Sequence, residues 1–186
     1  MHPRDAATLV IVAAAVAGTV LVPRLEAWLV PDAEGCPGSS DVPTEANLRP
    51  TRTAILCLLN RERADHGLAS LRRSATLELA SQRHSDDMAL RNFFAHETPD
   101  GVDPGARMAA AGYPVGATTT GENLAWGSGP EATPVRIVQG LMNSPGHRAN
   151  ILRPEFTEVG VGVAHEAPQV TAKGPVGVYT TDFGGG

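Results

Sequence analysis

The sequence predicts an α+β domain with layered packing. Two observations carry the prediction. Segments with apolar residues at helical spacing occupy the chain up to about residue 152, and the tail then changes to a period of two, valine alternating with glycine. Helices gathered in one block and strands in another fit layers packed on a shared core. A chain of 186 residues suits one domain with an additional segment. Its 42% hydrophobic content supplies a core, and with aromatics at 4% that core is aliphatic and alanine-rich.

The N-terminal segment stands apart from the domain. Residues 6–22 are uncharged and almost wholly apolar, with His2 and Arg4 before them and Arg24 after. This run of 17 residues lies at the lower edge for a membrane-spanning helix and is slightly long for the core of a signal peptide. Val20, Leu21 and Val22 are too bulky for a small-x-small cleavage site, and apolar character resumes over 25–30. An uncleaved anchor is therefore favoured over a cleaved signal peptide, and either places the rest of the chain outside the cytoplasm. The stretch that follows is rich in Pro, Gly, Ser and acids and reads as a linker. The expected division is 1–30 signal peptide or anchor, 31–49 linker and 50–186 globular domain.

The first helix is expected over 51–66. Pro50 suits a first turn, Ile55, Leu58 and Leu59 form an apolar stripe, and Gly67 is placed to end it. A second is expected over 75–91, with Ser74 before it and Leu77, Ala80, His84 and Met88 on one face. His84 on that face reads as a core histidine. Asp103 as cap, Pro104 as first residue and Gly112 as stop define a short helix over 104–111. A fourth fits 132–142, with Val135, Val138 and Met142 inward, and Ser144-Pro145 opens a fifth that ends before Pro154.

In the tail, Val159, Val161 and Val163 alternate with Gly160 and Gly162, and Val176 and Val178 with Gly177, running on to Phe183. These are two strands, with Lys173-Gly174 in the connection of an antiparallel hairpin. Glycines filling one face allow a helix to approach the sheet closely.

Composition excludes some functions. Net charge is -5 and no basic stripe occurs, so nucleic acid is not an expected partner. The chain has two cysteines, Cys36 and Cys57. An even pair in an exported chain reads as a disulfide. Closing a loop of about twenty residues contributes about 3 kcal/mol in the chain-entropy model.

Polar residues gather in four motifs within small or apolar surroundings: Phe94-Ala95-His96, Gly121-Glu122-Asn123-Leu124-Ala125, Ser144-Pro145-Gly146-His147-Arg148-Ala149-Asn150-Ile151-Leu152, and Asp182-Phe183-Gly184. Together with Asn60-Arg61-Glu62-Arg63, Gly67-Leu68 and Val159-Gly160-Val161-Gly162, they occur in the order found in the CAP superfamily (cysteine-rich secretory, antigen 5 and pathogenesis-related proteins). The chain resembles the bacterial branch of that superfamily from about Arg49 to Gly184. The resemblance implies an α-β-α sandwich with a cleft that in relatives holds two His and two Glu. His96 matches the first His, Glu122 the first Glu and His147 the second His. Ser144 stands where full-tetrad relatives have the other Glu, and Leu141 where Trp is usual.

Two imidazoles and a carboxylate suffice as a first shell for zinc, with water at the open position. The resemblance, not the spacing, brings His96, Glu122 and His147 together. The residues alone leave another reading open, in which His96 and His147 bond to each other's loops and Glu122 caps a turn. The helix N-terminus beside His147 favours its neutral form. Asn150 is expected to bond nearby carbonyls, Trp126 to pack rather than line a cleft, though either fits, and Asp182 to pair with an arginine of the cleft or cap a strand end.

Three functions fit. One is a non-catalytic binding module, secreted or anchored to the outer face of the cytoplasmic membrane, holding an apolar or cell-envelope ligand, a lipid or a partner protein. The second is a zinc-dependent hydrolase with Glu122 as third ligand or general base. The third is a structural or signalling domain with a vestigial cleft. No acylating nucleophile with an oriented base is evident, nor a pair of carboxylates to flank a glycosidic bond. The binding module is the expected function, with the zinc hydrolase as the alternative.

Overall fold

A computed structural model describes residues 35–166 and 175–186. The apolar run at 6–22 and the Lys173-Gly174 connection lie outside the described residues.

Among the described residues, five α-helices and four strands form the body. In chain order they are α1 (Leu48–Asp65), β1 (Arg72–Arg73), α2 (Ala75–Arg91), α3 (Pro104–Ala110), β2 (Thr119–Ser128), α4 (Pro134–Asn143), α5 (Pro145–Ile151), β3 (Glu158–Ala164) and β4 (Val176–Gly185). The sheet order is β1-β3-β4-β2. The short β1 runs parallel to β3, and the other pairs are antiparallel. Helices α1, α4 and α5 cover one face, and α2 and α3 the other. This is the expected α-β-α sandwich.

The side-chain period of two distributes the core between the layers. Val159, Val161 and Val163 of β3 join Tyr179 and Phe183 of β4 in a cluster with Ile55 and Leu59 of α1 and Val138 and Leu141 of α4. The opposite face of β3 is glycine. A Cβ at Gly160 would sit closer than 3.0 Å to the backbone of Leu77, and one at Gly162 closer than 3.0 Å to that of Ser81. Helix α2 therefore lies with its backbone against the strand, as the alternation predicts.

The helix punctuation explains most boundaries. Gly67 and Gly112 take the positive φ values of +71° and +92° expected of helix stops. The Asp103 side chain accepts from the Ala106 N–H at 2.8 Å and caps α3. Helix α1 begins at Leu48, earlier than expected, because Pro50 falls on its third residue rather than its first. Helix α4 begins at Pro134, since Gly129–Ala132 is a 3-10 turn. Two strands were not expected: β1, only two residues long, and the ten-residue β2.

Cys36 and Cys57 are bonded, as expected, with Cα atoms 5.7 Å apart. The bridge fastens the start of the described chain to α1. Residues 36–43 fall within the stretch expected as a linker, yet they are seated on the body. Cys36 and Ser39 are buried, and the Ser39 carbonyl accepts from the Val135 N–H at 2.9 Å, in the first turn of α4.

Candidate functional site

The site is built around the edge strand β2. Successive side chains of a strand face opposite ways. Glu122 is turned toward the α2 and α3 layer, and Asn123 toward α5.

Glu122 is the centre of the polar cluster, with its side chain only 2% exposed. Its Oε1 meets His96 Nδ1 at 2.7 Å, and its Oε2 accepts from Arg107 Nη2 at 2.5 Å. His96 lies in the loop after α2, which Asn92 terminates in the left-handed conformation (φ 58°). Arg107 comes from α3. Its Nη1 also donates to the His96 carbonyl at 2.6 Å and the Val102 carbonyl at 3.0 Å, so one guanidinium fixes both the loop and the carboxylate. His84 Nε2 donates to the Ala95 carbonyl at 3.0 Å and braces the same loop from below.

Asp182 of β4 stands directly opposite Glu122 in the β2–β4 register and is 1% exposed. It accepts from the Ser81 hydroxyl at 2.9 Å. Burial, and then the adjacent Glu122 carboxylate, push the Asp182 carboxyl well above the usual range. Buried atoms of the same cluster without a protein partner are His84 Nδ1, Arg107 Nε and Asp182 Oδ1.

The other candidates lie on α5 and the turn before it. Asn123 Nδ2 donates to the His147 carbonyl at 3.0 Å. Asn150 Nδ2 donates to the Glu122 carbonyl at 3.1 Å and to Asn123 Oδ1 at 2.8 Å, so Asn150 bonds a carbonyl as expected and ties α5 to the strand. Ser144 lies between α4 and α5 and lines a groove with His147. The two imidazoles are driven apart. The bond to Glu122 raises the His96 pKa, whereas burial, and then the charge of His96, lower that of His147.

These residues do not fit zinc in this arrangement. Both oxygens of Glu122 are engaged, Oε1 by His96 Nδ1 and Oε2 by the Arg107 guanidinium, which already neutralises the carboxylate. His147 rides on α5, which is tied to the opposite side of β2. Among the described residues, no three His, Cys, Asp or Glu side chains are grouped to hold a metal ion.

Beside the polar cluster runs a groove of about 350 Å³, lined by Phe94, Leu124, Trp126, Ile137, Leu141 and His147, among others. Trp126 is 49% exposed and Phe94 42%. Trp126 therefore lines the groove instead of packing in the core, which corrects the expectation. Arg107 went unnoticed in the sequence, since its only signal is a place one turn after the Asp103 cap. Asp182 contacts Glu122 and Ser81, rather than an arginine or a strand end.

A sequence model of the cysteine-rich secretory protein family matches residues 56–180. The uncharacterized protein YkwD of Bacillus subtilis is 41% identical over 108 residues, which are 58% of this chain and 40% of that protein. The uncharacterized membrane protein YlbC of the same organism is 36% identical over 111 residues, 59% of this chain and 30% of that one. The chain thus spans well under half the length of either relative. Among solved structures, an extracellular protein containing an SCP domain from Bacillus anthracis superposes with a TM-score of 0.62 at 28% identity, covering 76% of this chain and 43% of that one. An outer surface protein of Borrelia burgdorferi gives a TM-score of 0.60 over 77% of this chain and 96% of that one, and at 18% identity it bears on the fold alone.

Proposed function

Because the chain belongs to the cysteine-rich secretory protein family, we propose that it works as an extracytoplasmic binding module whose groove along β2 takes an apolar ligand of the cell envelope. The location is supported by the Cys36–Cys57 bond, of a kind that persists mainly in oxidising compartments, and by the relative from Bacillus anthracis described as extracellular. In this reading residues 1–30 carry the export signal or anchor. Among the described residues no helix is long and apolar enough to cross a membrane, so the attachment proposed rests on the N-terminal segment.

The single observation that carries the binding reading is the exposure of Phe94 and Trp126 on one groove. The chain has few aromatic residues, and two large ones stand in water beside Leu124, Ile137 and Leu141. Exposed apolar side chains gathered on one concave surface mark a ligand or partner site. The neighbouring His96, Glu122 and Arg107 bond to one another, which makes them a rigid wall of the cleft and supports a role in shape and polarity.

The test uses N-phenylnaphthylamine, an apolar dye that fluoresces when it leaves water. The full chain is expected to bind it saturably at one site. Trp126→Ala should weaken binding about tenfold or more, the scale of losing an aromatic anchor. Since Trp126 is half exposed, the variant should keep its melting temperature. Equal binding by the two proteins would refute the groove as the site.

A further inference from the structure

A second pocket lies at the opposite edge of the sheet, by β1 and β3, with α1 and α2 as its walls. It has a volume of about 250 Å³. Val159, Val161 and Leu56 form its apolar part, and Arg49, Arg52, Arg73 and Glu78 its charged part. Arg73 grips both oxygens of Glu78, with Nη2 at 2.7 Å from Oε1 and Nε on Oε2. Arg52 Nε lies 3.6 Å from Glu78 Oε1, and its Nη1 is held by Gln82 Oε1 at 2.9 Å. Among the described residues no carboxylate forms an ion pair with Arg49, and the charge of Arg49 is felt by Glu78. The Arg73 guanidinium, with Arg52 and Arg49 behind it, holds Glu78 below the usual carboxylate range.

Three guanidiniums thus face one carboxylate, leaving two positive charges unmatched in a chain whose net charge is -5. We propose that this pocket binds a phosphate monoester group. The charge matches, since such a group carries about -1.5 to -2 at neutral pH. The geometry matches as well: Arg49 and Arg52 are three residues apart on α1 and so stand side by side, while Arg73 comes from the facing β1. Guanidinium forks bind phosphate oxygens in pairs, and these are mounted on regular elements. The volume is below the range of about 300–1,000 Å³ typical of drug-sized ligands, so it suits a head group rather than a whole lipid. Val159, Val161 and Leu56 would take the first carbons attached to the phosphate.

Two sources supply this chemistry, a soluble phosphate monoester and the head group of a phosphomonoester lipid. The experiment follows binding of inorganic phosphate, and separately of dihexanoyl phosphatidic acid, to the full chain by phosphorus NMR. Inorganic phosphate is expected to bind one-to-one in the low-millimolar range or tighter. Arg49→Gln should weaken it about tenfold, the loss of one charged hydrogen-bonding partner. Glu78→Gln, which removes the acid of the pocket, should tighten it several-fold. Absence of phosphate binding, equal affinity in Arg49→Gln, or weakening in both variants would each overturn the proposal, the last because a damaged pocket weakens whichever charge is removed. Tighter binding of the short-chain lipid than of phosphate supports the site with the lipid head group as its ligand. Equal or weaker lipid binding supports it with a soluble monoester.

Discussion

Replacing Arg63 by methionine is expected to be among the most destabilising single substitutions in the protein. Arg63 is 1% exposed, and its guanidinium donates to four carbonyls: Ala69 at 2.8 Å, Ile151 at 2.8 Å, Arg153 at 2.9 Å and Phe156 at 3.0 Å. It joins the end of α1 to the end of α5 and to the turn that enters β3. Methionine keeps the stem but removes the guanidinium from all four carbonyls, although that of Arg153 keeps the Phe156 N–H at 3.3 Å. Each buried group that loses its partner costs about 1–3 kcal/mol. A loss above about 4 kcal/mol is therefore expected, against a total of about 5–15 kcal/mol for a domain. The melting temperature should fall by about 10 °C or more. Lysine should be intermediate, because it keeps the charge but lacks the planar fork. A methionine variant within about 1 kcal/mol of the parent in urea unfolding would contradict this account of Arg63.

Gly162→Ala is expected to destabilise the protein by about 3 kcal/mol, at the upper end of the usual range for an overpacked core. The added methyl group would collide with the carbonyl carbon and oxygen of Ser81 and the nitrogen of Gln82. Backbone cannot turn aside as a side chain can, so α2 must lift from β3. The effect should reach the site, because α2 carries Ser81 against Asp182 and His84 against Ala95. Gly140→Ala provides the opposite sign. Gly140 is on α4 with nothing within 4 Å of an added Cβ, so alanine should stabilise by up to about 1 kcal/mol. Urea unfolding of the two variants checks both, and a Gly162 variant within about 0.5 kcal/mol of the parent would contradict the close approach.

Both residues show what the sequence makes legible. The glycine alternation in β3 announced a helix lying close above it, because only a missing side chain allows that distance. Arg63 stood in a motif that identified the family, but its place on the inner side of α1 gave no sign of four carbonyl partners brought from residues 69–156. The helices were readable wherever caps and stops are local, as with Asp103, Pro104 and Gly112. Strand β2 was not readable. Its sequence, Thr119-Thr120-Gly121-Glu122-Asn123-Leu124, lacks a run of branched residues, and it is held extended by pairing with β4 along its whole length. Missing that strand hid the register that sets Glu122 against Asp182. It also hid the alternation that turns Glu122 and Asn123 to opposite faces, and with it the reason Glu122 bonds His96 and Arg107 while Asn123 bonds the His147 carbonyl. For Trp126, packing was preferred to lining a cleft, and its place in the groove with 49% exposure favours the second.

The most direct test is the emission of Trp126 itself. Trp28 is the other tryptophan in the chain, so the measurement is made on Trp28→Phe. N-phenylnaphthylamine is added in the presence of a zinc chelator, and the transfer of tryptophan emission to the dye is followed. A saturable transfer, complete at one dye per protein and indifferent to the chelator, is the result predicted for an apolar groove. No transfer, or transfer that begins only when zinc is restored, would contradict that reading and return the cleft to metal chemistry.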